Sequence, residues 1–145
     1  MGISGIMKLD VILRIGVKLI LPFLLLFAFY VHFHGEYGPG GGFQAGVMSA
    51  AMVILYGLIF GIDAAKRVVP QRFVELLIPI GVLLYVAAGI PAFFEGHRFL
   101  DYGVLSNDAV HGRVLGVLII ETGVLITVAG TMTAIFYAFA ERGRG

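Results

Sequence analysis

Polar residues along the chain gather into short clusters, and between them lie four apolar stretches at about 12–33, 43–62, 73–94 and 114–140. Each reaches the roughly 20 residues that a helix needs to cross about 30 Å of hydrocarbon. Irregular backbone is costly in lipid, so runs of this length predict helices rather than loops. The last stretch is longer than a crossing requires and is expected to tilt or protrude. Three connections separate them: 32–42 (HFHGEYGPGGG), 63–72 (DAAKRVVPQR) and 95–113 (EGHRFLDYGVLSNDAVHGR), the last being the longest and most polar. With no linker, low-complexity tail or internal repeat, the pattern predicts one all-α transmembrane domain over residues 1–145, built from about four membrane-spanning helices. The first stretch is too long for a signal-peptide core and lacks a small-residue cleavage site before Gly35, so it is expected to be a retained helix.

Composition strengthens this reading. Of 145 residues, 59% are hydrophobic and 13% charged, and mean hydropathy is +0.99. Soluble domains carry about a quarter charged residues, and one this small could not enclose so much apolar surface. The excess must face lipid or other membrane subunits. A net charge of +1 supplies no basic stripe for nucleic acid. Cysteine is absent, which excludes disulfides, thiol catalysis and cysteine metal sites.

The distribution of charge sets an expected orientation. Lys8, Arg14, Lys18, Lys66, Arg67, Arg72, Arg142 and Arg144 fall on the side of the N-terminus, while Arg98 and Arg113 fall on the other. Cytoplasmic loops carry the excess of lysine and arginine, so both termini are expected in the cytoplasm. His32, His34, His97 and His111 then lie at or near the outer face.

Four features invite chemistry. The glycine-rich stretch around Pro39, Gly40, Gly41, Gly42 and Phe43 combines a residue that cannot continue a helix with three that admit positive φ and close backbone approach. It is either a re-entry lining an ion or water path, or a compact turn packed on a neighbouring helix. A phosphate loop is excluded, because the lysine and hydroxyl that follow the glycines in that motif are missing. The second feature is Glu121, several residues inside the fourth span. A carboxylate there is costly and turns toward a cavity or a partner. It either exchanges protons or is fixed by a hydrogen bond at a subunit seam. At about 100° per residue, Gly112, Gly116, Gly123, Thr127, Gly130 and Ala134 share one face of that span, as close helix packing in lipid requires. Glu121 points almost oppositely, beside Val117, Leu118, Leu125, Val128 and Met132. Both faces therefore call for protein neighbours, more than three sister helices are expected to supply.

Lys18 and Glu75 form the third feature, each one to two turns inside the basic end of its helix. They either pair or snorkel separately to the headgroups. Pro22, Pro79 and Pro91 predict kinks or freed carbonyls. Histidine is the fourth: His32 and His34 do not share a helix face, and without HExxH-type spacing no metal site is expected. No nucleophile–base set, haem motif or nucleotide signature is present, so the sequence implies neither catalysis nor a cofactor.

The run HGEYGPGGGFQAGVMSAAMVILYGLIFG resembles the PGGGF signature of the MnhB/MrpB family, small membrane subunits of multisubunit sodium/proton antiporters. Glu121-Thr122-Gly123-Val124 followed by Gly130-Thr131-Met132 is similar to the last helix of that family. The resemblance covers most of the chain. It departs where many members carry histidine three residues before the proline: here Glu36 stands, with His34 two residues earlier, so the family histidine's role does not transfer. Related modules occur in membrane-bound hydrogenases. The resemblance implies an accessory subunit of a cation/proton antiporter in a prokaryotic plasma membrane, with other membrane subunits as partners and Na+ and H+ as the ions. Together with the residue reading above, this gives as ion-path candidates Glu121, Lys18 and Glu75, as structural turn Pro39–Phe43, and as packing face Gly116, Gly123, Thr127 and Gly130. The alternatives are a homologous subunit of a redox-driven pump and a purely structural scaffold.

Overall fold

The computed structural model describes residues 3–34, 41–94 and 109–143, with side chains over 5, 8–34, 41–90 and 114–143. Among the described residues five helices follow one another: α1 (Ile3–His34), α2 (Gly42–Phe60), α3 (Ile62–Val68), α4 (Gln71–Phe94) and α5 (Ala109–Arg142). Four of them contain spans long and apolar enough to cross a membrane, at Lys8–His34, Gly42–Phe60, Gln71–Ile90 and Val114–Arg142. The chain is thus an all-α membrane protein with four membrane-spanning helices, as the apolar pattern predicts. α1 and α4 run unbroken through Pro22 and through Pro79 and Pro91.

One element departs from the expectation. The second span ends at Phe60, and the basic connection is itself helical over Ile62–Val68. Gly61, at φ +98°, breaks α2 from α3. Such a φ is open to glycine at little cost. Pro70 lacks an amide to extend α3, and α3 ends at Val68 with Val69 extended.

Spatially, α5 lies between α2 and α4, and α1 packs on the far side of α2. The buried positions are mostly small: Ala28, Ala45, Ala50, Ala65 and Ala88, with glycines at the crossings. Large apolar side chains point outward, as in Phe23, Leu58, Leu83 and Phe139. In lipid this is the favourable arrangement. Hydrocarbon is as apolar as leucine, so helices associate through close backbone approach rather than by hiding large side chains.

At the crossing of α4 and α5, a Cβ on Gly123 would lie 2.8 Å from the Gly81 carbonyl oxygen, and one on Gly130 would lie 2.9 Å from Leu77 Cβ. Thr127 Oγ1 is directed at the Ile78 carbonyl, 3.4 Å away. The small-residue face of the fourth span therefore packs on α4. Its opposite face meets α2, where a Cβ on Gly46 would lie 2.9 Å from both the Leu125 carbonyl oxygen and Val128 Cβ. Both faces are supplied from within the chain, which corrects the expectation that sister helices would not suffice.

The end of the bundle that carries α3 is closed by a small buried cluster of Ile62, Ala65, Val74 and Tyr137. Tyr137 is 1% exposed, and its hydroxyl donates to the Val69 carbonyl at 2.8 Å, satisfying an acceptor at the C-terminus of α3. Lys66 pairs with Glu141 and donates to Gln71 Oε1 at 3.0 Å. Replacing Tyr137 by Phe leaves the Val69 carbonyl without its partner and is expected to cost about 1 kcal/mol. The check is thermal unfolding of the chain in detergent, in which the variant should melt earlier with unchanged native helicity.

Candidate functional site

Three segments converge at the opposite end of the bundle: the last turns of α1, the first turn of α2, and the third and fourth turns of α5. The convergence is made by glycine. Gly41 precedes α2 at φ +143°, a conformation that side chains disfavour, and its carbonyl accepts from the Ala45 amide at 3.1 Å to start the helix. Gly42 lies against the α5 backbone so closely that a Cβ there would stand 2.7 Å from the Glu121 carbonyl carbon and 2.9 Å from its Cα. A turn later Gly46 repeats the contact with Leu125 and Val128, and Ala50 continues the buried line. Gly42, Gly46 and Ala50, spaced by four, form one helix face.

This approach brings the Glu121 carboxylate to the start of α2. Glu121 Oε1 lies 3.2 Å from the point a Cβ would occupy on Gly41. No side chain caps that helix start. The first turn of a helix carries unsatisfied amides and a partial positive charge of about half an electron, a suitable environment for an anion. Glu121 is half-buried, and among the described residues its carboxylate has neither a hydrogen-bonding nor an ion-pairing partner. An ionisable group in a membrane span is thus set against a helix terminus but left open to an ion or donor.

Beside it, His32 from α1 is 4% exposed and meets Thr122 through Nε2 and Oγ1 at 3.0 Å. Thr122 Oγ1 also donates to the Leu118 carbonyl at 2.7 Å. His34, two residues on, stacks on Tyr30 with ring centroids 5.0 Å apart.

Of the residues singled out from sequence, Glu121, Gly41 and Gly42 come together here. Phe43 follows them but is 59% exposed, so its ring faces the surroundings rather than the site. Pro39 and Gly40 lie outside the described residues. Gly116 is buried, and Gly123, Thr127 and Gly130 serve the α4 crossing instead. Lys18 and Glu75 do not pair. Lys18 Nζ lies 5.3 Å from the Phe60 ring centroid, a cation–π distance, while Glu75 accepts from Gln71 Nε2 at 2.9 Å. Phe60 ends α2 and Gly42 begins it, a separation of about 27 Å at 1.5 Å per residue. Lys18 therefore belongs to the far end of the bundle from Glu121.

His32, Thr122 and Gly46 escape a linear reading. The spacing of four in Gly42, Gly46 and Ala50 is a visible signal for the last of these. For the His32–Thr122 pair the only signals were a histidine closing an apolar run and a hydroxyl beside Glu121.

A family model described as a domain related to the MnhB subunit of Na+/H+ antiporter matches residues 12–134. A protein of Staphylococcus epidermidis (strain ATCC 12228 / FDA PCI 1200), named "Putative antiporter subunit mnhB2", is 36% identical over 136 residues, covering 90% of this chain and 94% of its own. Its namesake from Staphylococcus haemolyticus is 34% identical over 137 residues with the same coverage. That from Staphylococcus aureus (strain Newman) is 33% identical over 133 residues, again covering 90% and 94%.

Proposed function

Because the chain belongs to the family of domains related to the MnhB subunit of Na+/H+ antiporters, we propose that it is a subunit of a multisubunit sodium/proton antiporter. It sits as a multi-pass protein in a prokaryotic plasma membrane, with both termini cytoplasmic and other membrane subunits of the complex around it. Within that complex it has no catalysis of its own. It contributes the Glu121 carboxylate as a fixed charge of the ion path, held in place by the Gly41–Gly42 turn.

The observation that carries this reading is a carboxyl group inside a membrane span, aimed at a helix start and unpaired among the described residues. Placing a charge at membrane depth costs several kcal/mol by most measures. Helix-terminal amides offset part of that cost. A scaffold would do as well with an apolar residue at position 121, since Gly42 and Gly46 already provide the α2–α5 contact. The outward-facing phenylalanines and leucines of α1 and α4 suit lipid and neighbouring subunits alike.

The test is a mild-detergent pull-down of the chain, tagged at its C-terminus, from native membranes, with mass spectrometry of what accompanies it. Large multi-spanning antiporter-like subunits are expected. Iron–sulfur or hydrogenase subunits in the same fraction would make the host a redox-driven pump, and recovery of the chain alone would overturn the subunit reading.

A further inference from the structure

The end of the bundle away from Glu121 carries two cations that the proposed function leaves unused. Arg14 and Lys18 stand one turn apart on α1, and both reach the ring of Phe60. Arg14 Cζ lies 5.7 Å and Lys18 Nζ 5.3 Å from its centroid, within cation–π range. Arg14 also pairs with Asp10 at 3.1 Å. Among the described residues Lys18 has no carboxylate partner, and it is exposed. The ring holds its ammonium without neutralising it. Counted back from His34 at about 1.5 Å per residue, Lys18 stands about 24 Å and Arg14 about 30 Å along α1. The hydrocarbon core is about 30 Å thick. Arg14 therefore reaches the headgroup boundary, and the long stem of Lys18 carries its charge toward the same level.

An apolar groove opens one turn deeper. Leu21 of α1, Met52, Val53 and Tyr56 of α2, and Ala65 and Val68 of α3 line a space of about 100 Å³. That is far below the roughly 300 Å³ of a small-molecule site, but it accommodates a stretch of hydrocarbon chain. Gly61, at φ +98°, makes the groove by turning the chain out of α2, so that α3 supplies the third wall. Tyr56 joins the groove to the cations, since its ring centroid lies 4.7 Å from that of Phe60. Cationic groups at the membrane boundary with an apolar slot beneath them match the order of parts in a phospholipid.

We propose that this slot binds one anionic phospholipid of the leaflet at that face of the membrane. Its phosphate sits at Arg14 and Lys18, where the guanidinium offers paired donors and the ammonium a point charge. One acyl chain lies in the groove beside Tyr56. A partner helix would need an apolar strip running the length of α1 and α2. This slot is instead short and closed above by charge, the form that anionic headgroup sites take between spanning helices. The assignment requires only that the chain spans the membrane, and it stands apart from the antiporter reading.

The test adds phosphatidylglycerol or phosphatidylcholine with the same acyl chains to the delipidated full-length chain in mild detergent. Native mass spectrometry counts what is bound. One phosphatidylglycerol per chain is expected, held about tenfold more tightly than phosphatidylcholine. Lys18→Gln should weaken it about fivefold, the effect of one cation near a membrane surface, and Lys18→Arg should retain it. Val68→Phe fills the groove from a position 64% exposed and keeps both cations, so it should weaken binding by a similar factor. Equal binding of the two lipids, or parent-like binding by Lys18→Gln, would overturn the proposal. A silent Val68→Phe, with inorganic phosphate displacing the lipid, would reduce the slot to a bare anion site and overturn it too. In the assembled complex, Leu21→Cys places a photoactivatable label in the groove, the parent chain having no cysteine. Adducts to lipid are expected, whereas adducts to a neighbouring subunit would make the groove a protein interface and contradict the lipid site.

Discussion

Gly42→Val should prevent the chain from accumulating in the membrane in its native fold. The first atom of any side chain at this position meets backbone: the Glu121 carbonyl carbon at 2.7 Å and its Cα at 2.9 Å. A flexible neighbour could swing aside, but two helix backbones can only separate. Moving them apart would also lift Gly46 from Leu125 and Val128, undoing the α2–α5 contact along its length. Overpacking an ordinary core costs about 1–3 kcal/mol, and with no side chain able to yield the cost here should be at least about 3 kcal/mol. Phe43→Ala is the matched comparison. It changes far more volume one residue away, yet Phe43 is exposed, so the stability of the isolated chain should stay within about 0.5 kcal/mol. Membrane accumulation and thermal unfolding in detergent measure both. A Gly42→Val protein as abundant and as stable as its parent would show that α2 and α5 do not approach this closely.

The four spans were legible because lipid imposes one simple requirement, about 20 apolar residues in a row. The two-faced character of α5 was legible for a similar reason. Helical periodicity alone puts Gly123, Thr127 and Gly130 opposite Glu121, and the structure gives the first face to α4 and the second to α2. What covers each face was not legible, because the partners are remote in sequence. Gly42 and Glu121 are joined by the packing of α2 on α5, as are His32 and Thr122 by the approach of α1, and no local pattern records either. α3 was missed because seven residues of mixed charge show no periodicity long enough to read. Only Gly61 and Pro70 mark its ends. The possible pairing of Lys18 with Glu75 assumed that depth alone would bring them together. α1 and α4 stand at opposite edges of the bundle, with α2 and α5 between them, and each residue found a nearer neighbour.

The Glu121 carboxylate is the point on which ion transport and plain packing part company. Glutamine has nearly the same shape, so Glu121→Gln preserves the fit of α5 on the Gly41–Gly42 turn while removing the charge and the exchangeable proton. If the side chain only fills space at the start of α2, that substitution changes nothing. If it is the fixed charge of the path, transport fails although the complex is intact. The effect is expected to be complete rather than partial, because among the described residues no other carboxylate stands at that end of the bundle. The most direct measurement is Na+-dependent proton movement in everted vesicles carrying the complex with Glu121→Gln, set against the amount of assembled complex in the same membranes. The expected result is assembly at the parent level with antiport reduced to that of membranes lacking the complex. Antiport at the parent rate from an equally abundant complex would contradict the ion-path role and leave Glu121 as a packing residue.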